Sequence, residues 1–569
     1  LDRHADPYSE HRSEVHLSSA MTTRQHTAVA VILLIIVGYL IRMSAVEVQP
    51  SPEGFIAQAG AVINETGLTA DLAPTSPGGL TTGLMPPGVP TMIAAGMRAA
   101  GENQLAIRWF SVLSIAVGLL LMYVIASRFL SHQGSLQAVA IAGLSMPWVL
   151  YGRQASLSVA GIPLVLGGLW MLLNITRSTR SAPRYSFASG YALVCFAAGW
   201  ISIEACVTLV VLSLGFLLLT RNGVVMLASV MGLLATVPWL AMMFGSYGDQ
   251  VLLASSISIP VSEPTLISTG PLDALILLIV SSPVLVVSIF WCACLVLRKA
   301  LMPQEHEIEV RSIGLWFVAS LLVIALQPQR GFFSFVLMIP AASMLSVYAL
   351  EQFRRRASPG VFLGALATVG VSSSVVLMMQ LLQSGSGFKL LYLVLLCVHV
   401  VVVAVQVLRP GRLKSPLQMA AGLYSPLYYG AVSISGLIAF VSIVFGSPYV
   451  VQGARKIAYE LHEQQVSDGS FTYVFHKHHS TDGMNAQLDW YLQGWMTGQK
   501  PGFSHQSMPQ PENQFDPRSL LFIMGVDRIV YYHPGSDRRN LEQMRTLLES
   551  MYDEQVSTRD YTLFVSKQR

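Results

Sequence analysis

Charged side chains are scarce in this chain. Asp, Glu, Lys and Arg make up 12% of its 569 residues, against about 25% in a soluble domain. An ordinary water-soluble protein of this size is thereby excluded. Cysteine is nearly absent as well: Cys195, Cys206, Cys292, Cys294 and Cys397 all lie in apolar runs, and none lies beyond residue 450. That excludes a disulfide framework and a zinc-type spacing. Cys292 and Cys294 form a C-x-C pair, but within a hydrophobic run, where thiols act as small packed side chains; no metal site is indicated. The net charge is only +4 and no basic run suggests nucleic acid, so nucleic acid is not an expected partner. There is no Gly-rich phosphate loop. The first 20 residues are polar with three His and lack the regions of a signal peptide; the start of translation is open between Leu1 and Met21.

What the chain has is apolar length. Hydrophobic residues make up 53%, the mean hydropathy is +0.55, and the apolar residues come in runs. A helix needs about 20 such residues to span a bilayer, and open sheets cannot span one because lipid offers no partner for the backbone. The runs predict about 13 transmembrane helices, at 27–45, 104–130, 134–151, 157–175, 186–202, 204–220, 223–244, 272–298, 311–327, 332–350, 360–382, 388–408 and 424–446. Alternate loops collect Arg177, Arg180, Arg184, Arg221, Arg298, Lys299, Arg354, Arg355, Arg356, Arg409, Arg412 and Lys414. The intervening loops carry Glu47, Glu53, Glu65, Asp71, Asp249, Glu263 and Asp273 instead. Cytoplasmic loops are the basic ones, so the N-terminus is expected in the cytoplasm and the C-terminus outside.

The expected architecture is therefore a polytopic α-helical membrane protein with a small C-terminal α/β domain. It divides into a polar cytoplasmic segment, 1–26, a transmembrane domain, 27–449, and an extracytoplasmic domain, 450–569. Within the outside loop 46–103, Gly54–Glu65 and Val89–Ala99 read as amphipathic helices lying on the membrane. In the C-terminal domain 471–475, 528–532 and 561–566 read as strands, and 485–495 and 539–552 as helices; such alternation argues for an α/β layer structure.

The first loop carries Pro52-Glu53-Gly54-Phe55, then Pro86-Pro87, then Glu102-Asn103-Gln104-Leu105-Ala106-Ile107-Arg108. Tyr151-Gly152-Arg153, Pro238-Trp239 and Gln327-Pro328-Gln329-Arg330 running to Pro340 follow. As an ordered set these resemble the GT-C superfamily of membrane glycosyltransferases, in particular the protein O-mannosyltransferases, aminoarabinose transferases and rhizobial lipopolysaccharide transferases. The resemblance implies a polytopic enzyme of the cell envelope, expected in a bacterial inner membrane. It would take a hexose or pentose from a polyprenyl-phosphate donor and pass it to a lipid, glycan or protein acceptor on the outer face. Three departures stand out. The family's usual Asp-Glu is Pro52-Glu53 here, Leu84-Met85 replace the Glu-Lys of aminoarabinose transferases, and Gln154 to Ser158 lack the acid that commonly follows the third helix. A catalytically inactive lipid-binding or assembly protein is the alternative; a transporter is disfavoured because no internal repeat is found.

The chemistry needs a carboxylate to take the acceptor proton and a cation to meet the leaving phosphate, for which an Arg fork is suited. Glu53 is the expected catalytic base, with Arg330 or Arg153 across a cavity as the phosphate-binding residue. Loop solvation for Glu53 and headgroup anchoring for the two arginines are the plain alternatives. Asp249, Glu263 and Asp273 are possible second acids, though loop acids are usually solvated. Pro86 and Pro87 form the loop motif. Glu204, at the edge of an apolar block, is an ionisable group near membrane depth and so a functional candidate. His399 is expected to be packed, His476-Lys477-His478-His479 to be solvated, and Asp489, Trp490, Tyr491 and Trp495 to belong to a core. A divalent metal is not indicated.

Overall fold

A computed structural model describes residues 25–41, 43, 53–66, 86–101, 103–178, 180–220, 223–247, 307–326, 336–356, 453–463, 472–475, 528–533 and 538–567. The expected spans at 272–298, 360–382, 388–408 and 424–446 lie outside the described residues, as do the sites at Arg330, Asp249, Glu263, Asp273, His399, His476–His479 and 485–495.

Among the described residues the chain opens with α1 (Gln25–Leu40), α2 (Glu53–Thr66), α3 (Gly88–Ala100) and α4 (Gln104–Ala126). Then come α5 (His132–Gly143), α6 (Met146–Tyr151), α7 (Leu157–Arg177), α8 (Ser181–Ile201), α9 (Ile203–Thr220) and α10 (Gly223–Tyr247). Two further helices, α11 (Glu307–Leu326) and α12 (Ile339–Arg356), complete the bundle. Gln104–Ala126 and Leu157–Arg177 are long and apolar enough to cross a membrane, with mean hydropathies of 2.3 and 1.8.

Side-chain spacing explains how α4 sits. Leu105, Trp109, Leu113, Val117, Leu120 and Val124 are exposed, while Ile107, Ile115, Leu119 and Met122 are buried. The exposed residues recur every three or four positions and form one apolar stripe. A helix that is apolar on its exposed face as well as its packed one belongs in a membrane bundle. Leu33, Leu34 and Val37 of α1 and Met226, Leu227, Val230, Met231 and Leu234 of α10 are exposed in the same way.

Several boundaries differ from expectation: α8 begins at Ser181 where the span was expected from 186, and α12 runs Ile339–Arg356 where 332–350 was expected. Two breaks have a visible cause. The span expected at 134–151 is broken into α5 and α6 at Leu144 and Ser145, because Pro147 lacks an N–H and is accommodated only in the first turn of a new helix. The block 186–220 is broken at Ser202, whose extended backbone (φ −154°, ψ 113°) separates α8 from α9, two residues ahead of the expected break at Glu204.

One end of the bundle gathers polar ties. Arg177 pairs with Glu309. Arg128 donates through Nη2 to Asn174 Oδ1 at 3.1 Å, and Ser131 Oγ donates to Glu351 Oε1 at 2.6 Å. These link the ends of α4, α5, α7, α11 and α12.

At the C-terminal end of the chain, α13 (Ala454–Glu463), β1 (Thr472–Phe475), β2 (Arg528–Tyr532), α14 (Arg538–Leu548), β3 (Tyr552–Ser557) and β4 (Tyr561–Ser566) form a layered unit. The sheet order is β1-β2-β4-β3. β1 and β2 pair in parallel, and β4 pairs antiparallel with both β2 and β3. Ile529, Tyr531 and Phe564 pack with Leu541, Met544 and Leu548 of α14. Val530, Tyr561 and Leu563 join a second cluster with Ala454, Ile457, Ala458 and Leu461 of α13. A sheet covered on both faces buries consecutive residues, as Tyr561 to Phe564 do. β3 and α13 were not anticipated. The helix expected over 539–552 ends at Leu548, and Tyr552 opens a strand.

That second cluster does not stop at the sheet. It also contains Ile56, Ala57 and Ala61 of α2, Val89, Ile93 and Met97 of α3, and Ala106, Ile107 and Phe110 of α4. One apolar cluster thus runs from the C-terminal unit into the helices that follow the first span.

Candidate active site

At the end of the bundle opposite the Arg177–Glu309 pair, four separate stretches of chain are held by one buried ion pair. Glu53 opens α2 and Arg108 lies in the second turn of α4; both side chains are 0% exposed. Arg108 Nε donates to Glu53 Oε1 at 2.6 Å and Nη2 donates to Oε2 at 2.8 Å. This is the two-pronged geometry in which a guanidinium holds a carboxylate best. The third arm, Nη1, donates to the Met43 carbonyl just past α1 at 2.7 Å. Glu53 Oε1 also accepts the Ala155 N–H at 2.9 Å. A carboxylate has about four lone-pair positions, and these donors use at least three.

Local sequence sets up this convergence. Gly101, with φ 77°, ends α3 in a conformation that favours glycine. Asn103 then caps both helices at once: its Oδ1 accepts Ala106 N–H at 2.9 Å, and its Nδ2 donates to Ala100 O at 2.7 Å. The tight connection fixes the start of α4 and so the position of Arg108. On the other side, Tyr39 Oη donates to Gly143 O at 2.8 Å, and Trp148 Nε1 donates to Val336 O at 2.9 Å. These hold the short helix α6, from which the turn 152–156 projects. Ser156 then caps α7 by accepting Val159 N–H.

Arg153 is in this turn, 3% exposed, and its Nη2 donates to Ile41 O at 2.5 Å. It is therefore brought close to Glu53 along the chain, two residues before Ala155. Pro86 and Pro87 precede α3, with Pro87 at its N-cap position. The next residue meets α8: a Cβ on Gly88 would lie 2.6 Å from Trp200 O and 2.8 Å from Ile201 Cγ1. The replacement Gly88→Ala is expected to cost about 1–3 kcal/mol by overpacking, seen as a lower thermal midpoint of the detergent-solubilised chain. An unchanged midpoint would show that α3 is not seated on the end of α8. Close by, Ser158 Oγ donates to Glu204 Oε2 at 2.6 Å, from the first turn of α7 to the first turn of α9.

The structure thus brings together Glu53, Arg153, Glu204 and the Pro86-Pro87 turn at one end of the bundle. Arg108 was legible only as part of a motif, and sequence reasoning gave it no role. The signal available was a charged residue four positions inside an otherwise apolar helix, which demands a partner. Among the described residues there is no group of three or more His, Cys, Asp and Glu positioned to hold a metal ion.

Comparison with known proteins bears on the fold. The family model for dolichyl-phosphate-mannose-protein mannosyltransferases matches residues 85–247, the stretch from the Pro-Pro turn to the end of α10. No curated protein matches the sequence. In fold, the chain is similar to apo ArnT from Cupriavidus metallidurans, with a TM-score of 0.58 and 15% identity, covering 96% of this chain and 98% of that one. It is similar to the same protein bound to undecaprenyl phosphate, with a TM-score of 0.57, 14% identity and coverage of 94% and 97%. An oligosaccharyltransferase from Archaeoglobus fulgidus in the apo form gives a TM-score of 0.52 at 8% identity, over 95% of this chain and 74% of that one.

Proposed function

We propose that this chain, a membrane protein built on the fold of the GT-C glycosyltransferases, transfers a sugar from a polyprenyl-phosphate donor to an acceptor on the outer face of the membrane. The observation that carries the reading is the convergence of Glu53, Arg108, Arg153 and the Pro86-Pro87 turn at one end of the bundle. It occurs in a fold that, in ArnT, has been seen holding undecaprenyl phosphate. In this proposal Arg153 and Arg330 meet the donor phosphate, because a guanidinium stabilises a leaving phosphate with two parallel hydrogen bonds. Glu53 is a positioning residue: its carboxylate fixes α2 and the 152–156 turn to α4. Asp249, Glu263 and Asp273 are proposed as further acids. The unit within 450–569 covers the site and helps to select the acceptor, a role supported by the apolar cluster it shares with α2, α3 and α4.

The test is direct. Purified protein is incubated with radiolabelled undecaprenyl-phosphate hexose and a membrane extract, and label is sought in lipid, glycan and protein fractions. Transfer above a heat-treated control supports the proposal; no transfer to any fraction counts against it. A second reading, a lipid-binding relative without transferase activity, is favoured by one observation: the carboxylate of Glu53 is already engaged by Arg108 and Ala155. Binding of undecaprenyl phosphate without transfer would select it.

The proposed orientation, N-terminus cytoplasmic and C-terminus extracytoplasmic in a bacterial inner membrane, has its own check. A topology reporter fused after Arg569 is expected to report the outside, and one fused after Arg356 the cytoplasm. Both reporting the same side would overturn the odd number of spans.

A further inference from the structure

Glu204 was singled out by the sequence as an ionisable residue at the edge of an apolar block, and the function proposed above gives it no role. The geometry points to Glu204 as the general base of the transfer, the carboxylate that takes the proton of the acceptor hydroxyl; this rests on the glycosyltransferase reading.

The argument begins with what Glu53 is already doing. Both of its oxygens are held by Arg108, one of them also by the Ala155 N–H, and the side chain is fully buried. A general base must come within about 2.6–3.2 Å of the proton it removes. For Glu53 that would mean giving up bonds that hold four chain segments together. Among the acids of α1–α12 whose side chains are described, Glu309 and Glu351 lie at the opposite end of the bundle. Of the acids of α1–α12 whose side chains are described, Glu204 is the one besides Glu53 at this end.

Its surroundings suit the role. Glu204 is partly buried, whereas Glu53 is fully buried. Its Oε2 accepts Ser158 Oγ at 2.6 Å, which fixes the carboxylate relative to the turn that also supplies Ala155 to Glu53. A Cβ on Gly161 would lie 2.8 Å from Ala205 Cβ and 3.1 Å from Ser202 Oγ, so the first turns of α7 and α9 are in close contact. The start of α3, just after Pro86-Pro87, rests on Trp200 and Ile201, three to four residues before Glu204.

In the step, the acceptor hydroxyl oxygen bonds to the anomeric carbon of the lipid-linked sugar while Glu204 receives its proton. The bond from that carbon to the phosphate oxygen breaks, and its electron pair leaves with the polyprenyl phosphate. The phosphate passes from monoanion to dianion as the carboxylate becomes neutral, so charge is balanced; the proton is later lost to solvent.

The experiment uses the full chain in nanodiscs with undecaprenyl-phosphate mannose as probe. Glu204→Gln is expected to lose about 10²–10⁴-fold in turnover while binding undecaprenyl phosphate as the unaltered chain does. Ser158→Ala, which only loosens the carboxylate, is expected to lose less. Turnover of Glu204→Gln close to that of the unaltered chain overturns the inference. A second readout needs neither a variant nor turnover. Carbodiimide labelling of Glu204 in the unaltered chain, followed by mass spectrometry, is expected to slow about tenfold when the lipid-linked sugar is present at ten times its Kd. Labelling at the same rate with and without it overturns the inference. If the unaltered chain transfers no label but Glu204 is protected, the transferase reading fails while the placement of Glu204 at the lipid-linked sugar stands.

Discussion

Replacing Glu53 by Gln is expected to lower the stability of the chain by about 3–5 kcal/mol, the cost of breaking a buried ion pair by removing one partner. The neutral amide leaves Arg108 charged in a place with no exposure to water. The amide also brings two N–H donors against a guanidinium and the Ala155 N–H, which are themselves donors. One side of that arrangement must lose its bonds. Glu53→Gln is therefore expected to weaken the fold itself, through the buried partner it leaves behind. The readout is the thermal midpoint of the solubilised protein, with proteolysis of the segment after α1 as a second probe, since Met43 is held by the same arginine. Removing both charges together, as in Glu53→Leu with Arg108→Met, is expected to recover most of the stability, because no uncompensated charge is then buried. A Glu53→Gln midpoint equal to that of the unaltered chain would show that the ion pair is not what fastens α2 to α4.

Trp148→Ala is expected to cost about 3–5 kcal/mol, the usual range for truncating a fully buried tryptophan. The indole is completely enclosed and its N–H is the described donor to Val336 O, linking α6 to the turn before α12. Close packing around α6 adds to the effect. A Cβ on Gly152 would come within 2.5 Å of Tyr39 and 2.6 Å of Trp148 O, so the turn that leads to Arg153 and Ala155 has no slack. Trp148→Phe keeps much of the volume and removes the donor; its cost is expected near the 1–3 kcal/mol of an unsatisfied buried carbonyl. Thermal midpoints of the two variants check the order. Equal losses would assign the whole effect to the hydrogen bond and none to packing.

The membrane class was legible early because it depends on run length and charge scarcity, which are local. The start of α4 and the strands at 528–532 and 561–566 were legible for the same reason: caps and apolar periods act within a few residues. The break in the third span at Leu144 and Ser145 was missed although Pro147 announced it, because the apolar run continues through it. β3 was missed because Tyr552 to Ser557 is mostly exposed without a clean alternation and follows a good helix former. The pairing with β4 that makes it a strand is a tertiary fact.

The sequence by itself determined the membrane class, and it marked Glu53, Arg153 and Pro86-Pro87 as parts of one ordered motif set. Only the tertiary structure decided what each polar residue does. It gave Glu53 to Arg108 and Ala155, and set Glu204 beside Ser158. The physical reason is range. Hydrophobic burial follows patterns written every few residues along one helix. A buried carboxylate instead takes whichever donor the packing of distant segments brings within about 3 Å, and here those segments are 55 and 102 residues away in sequence.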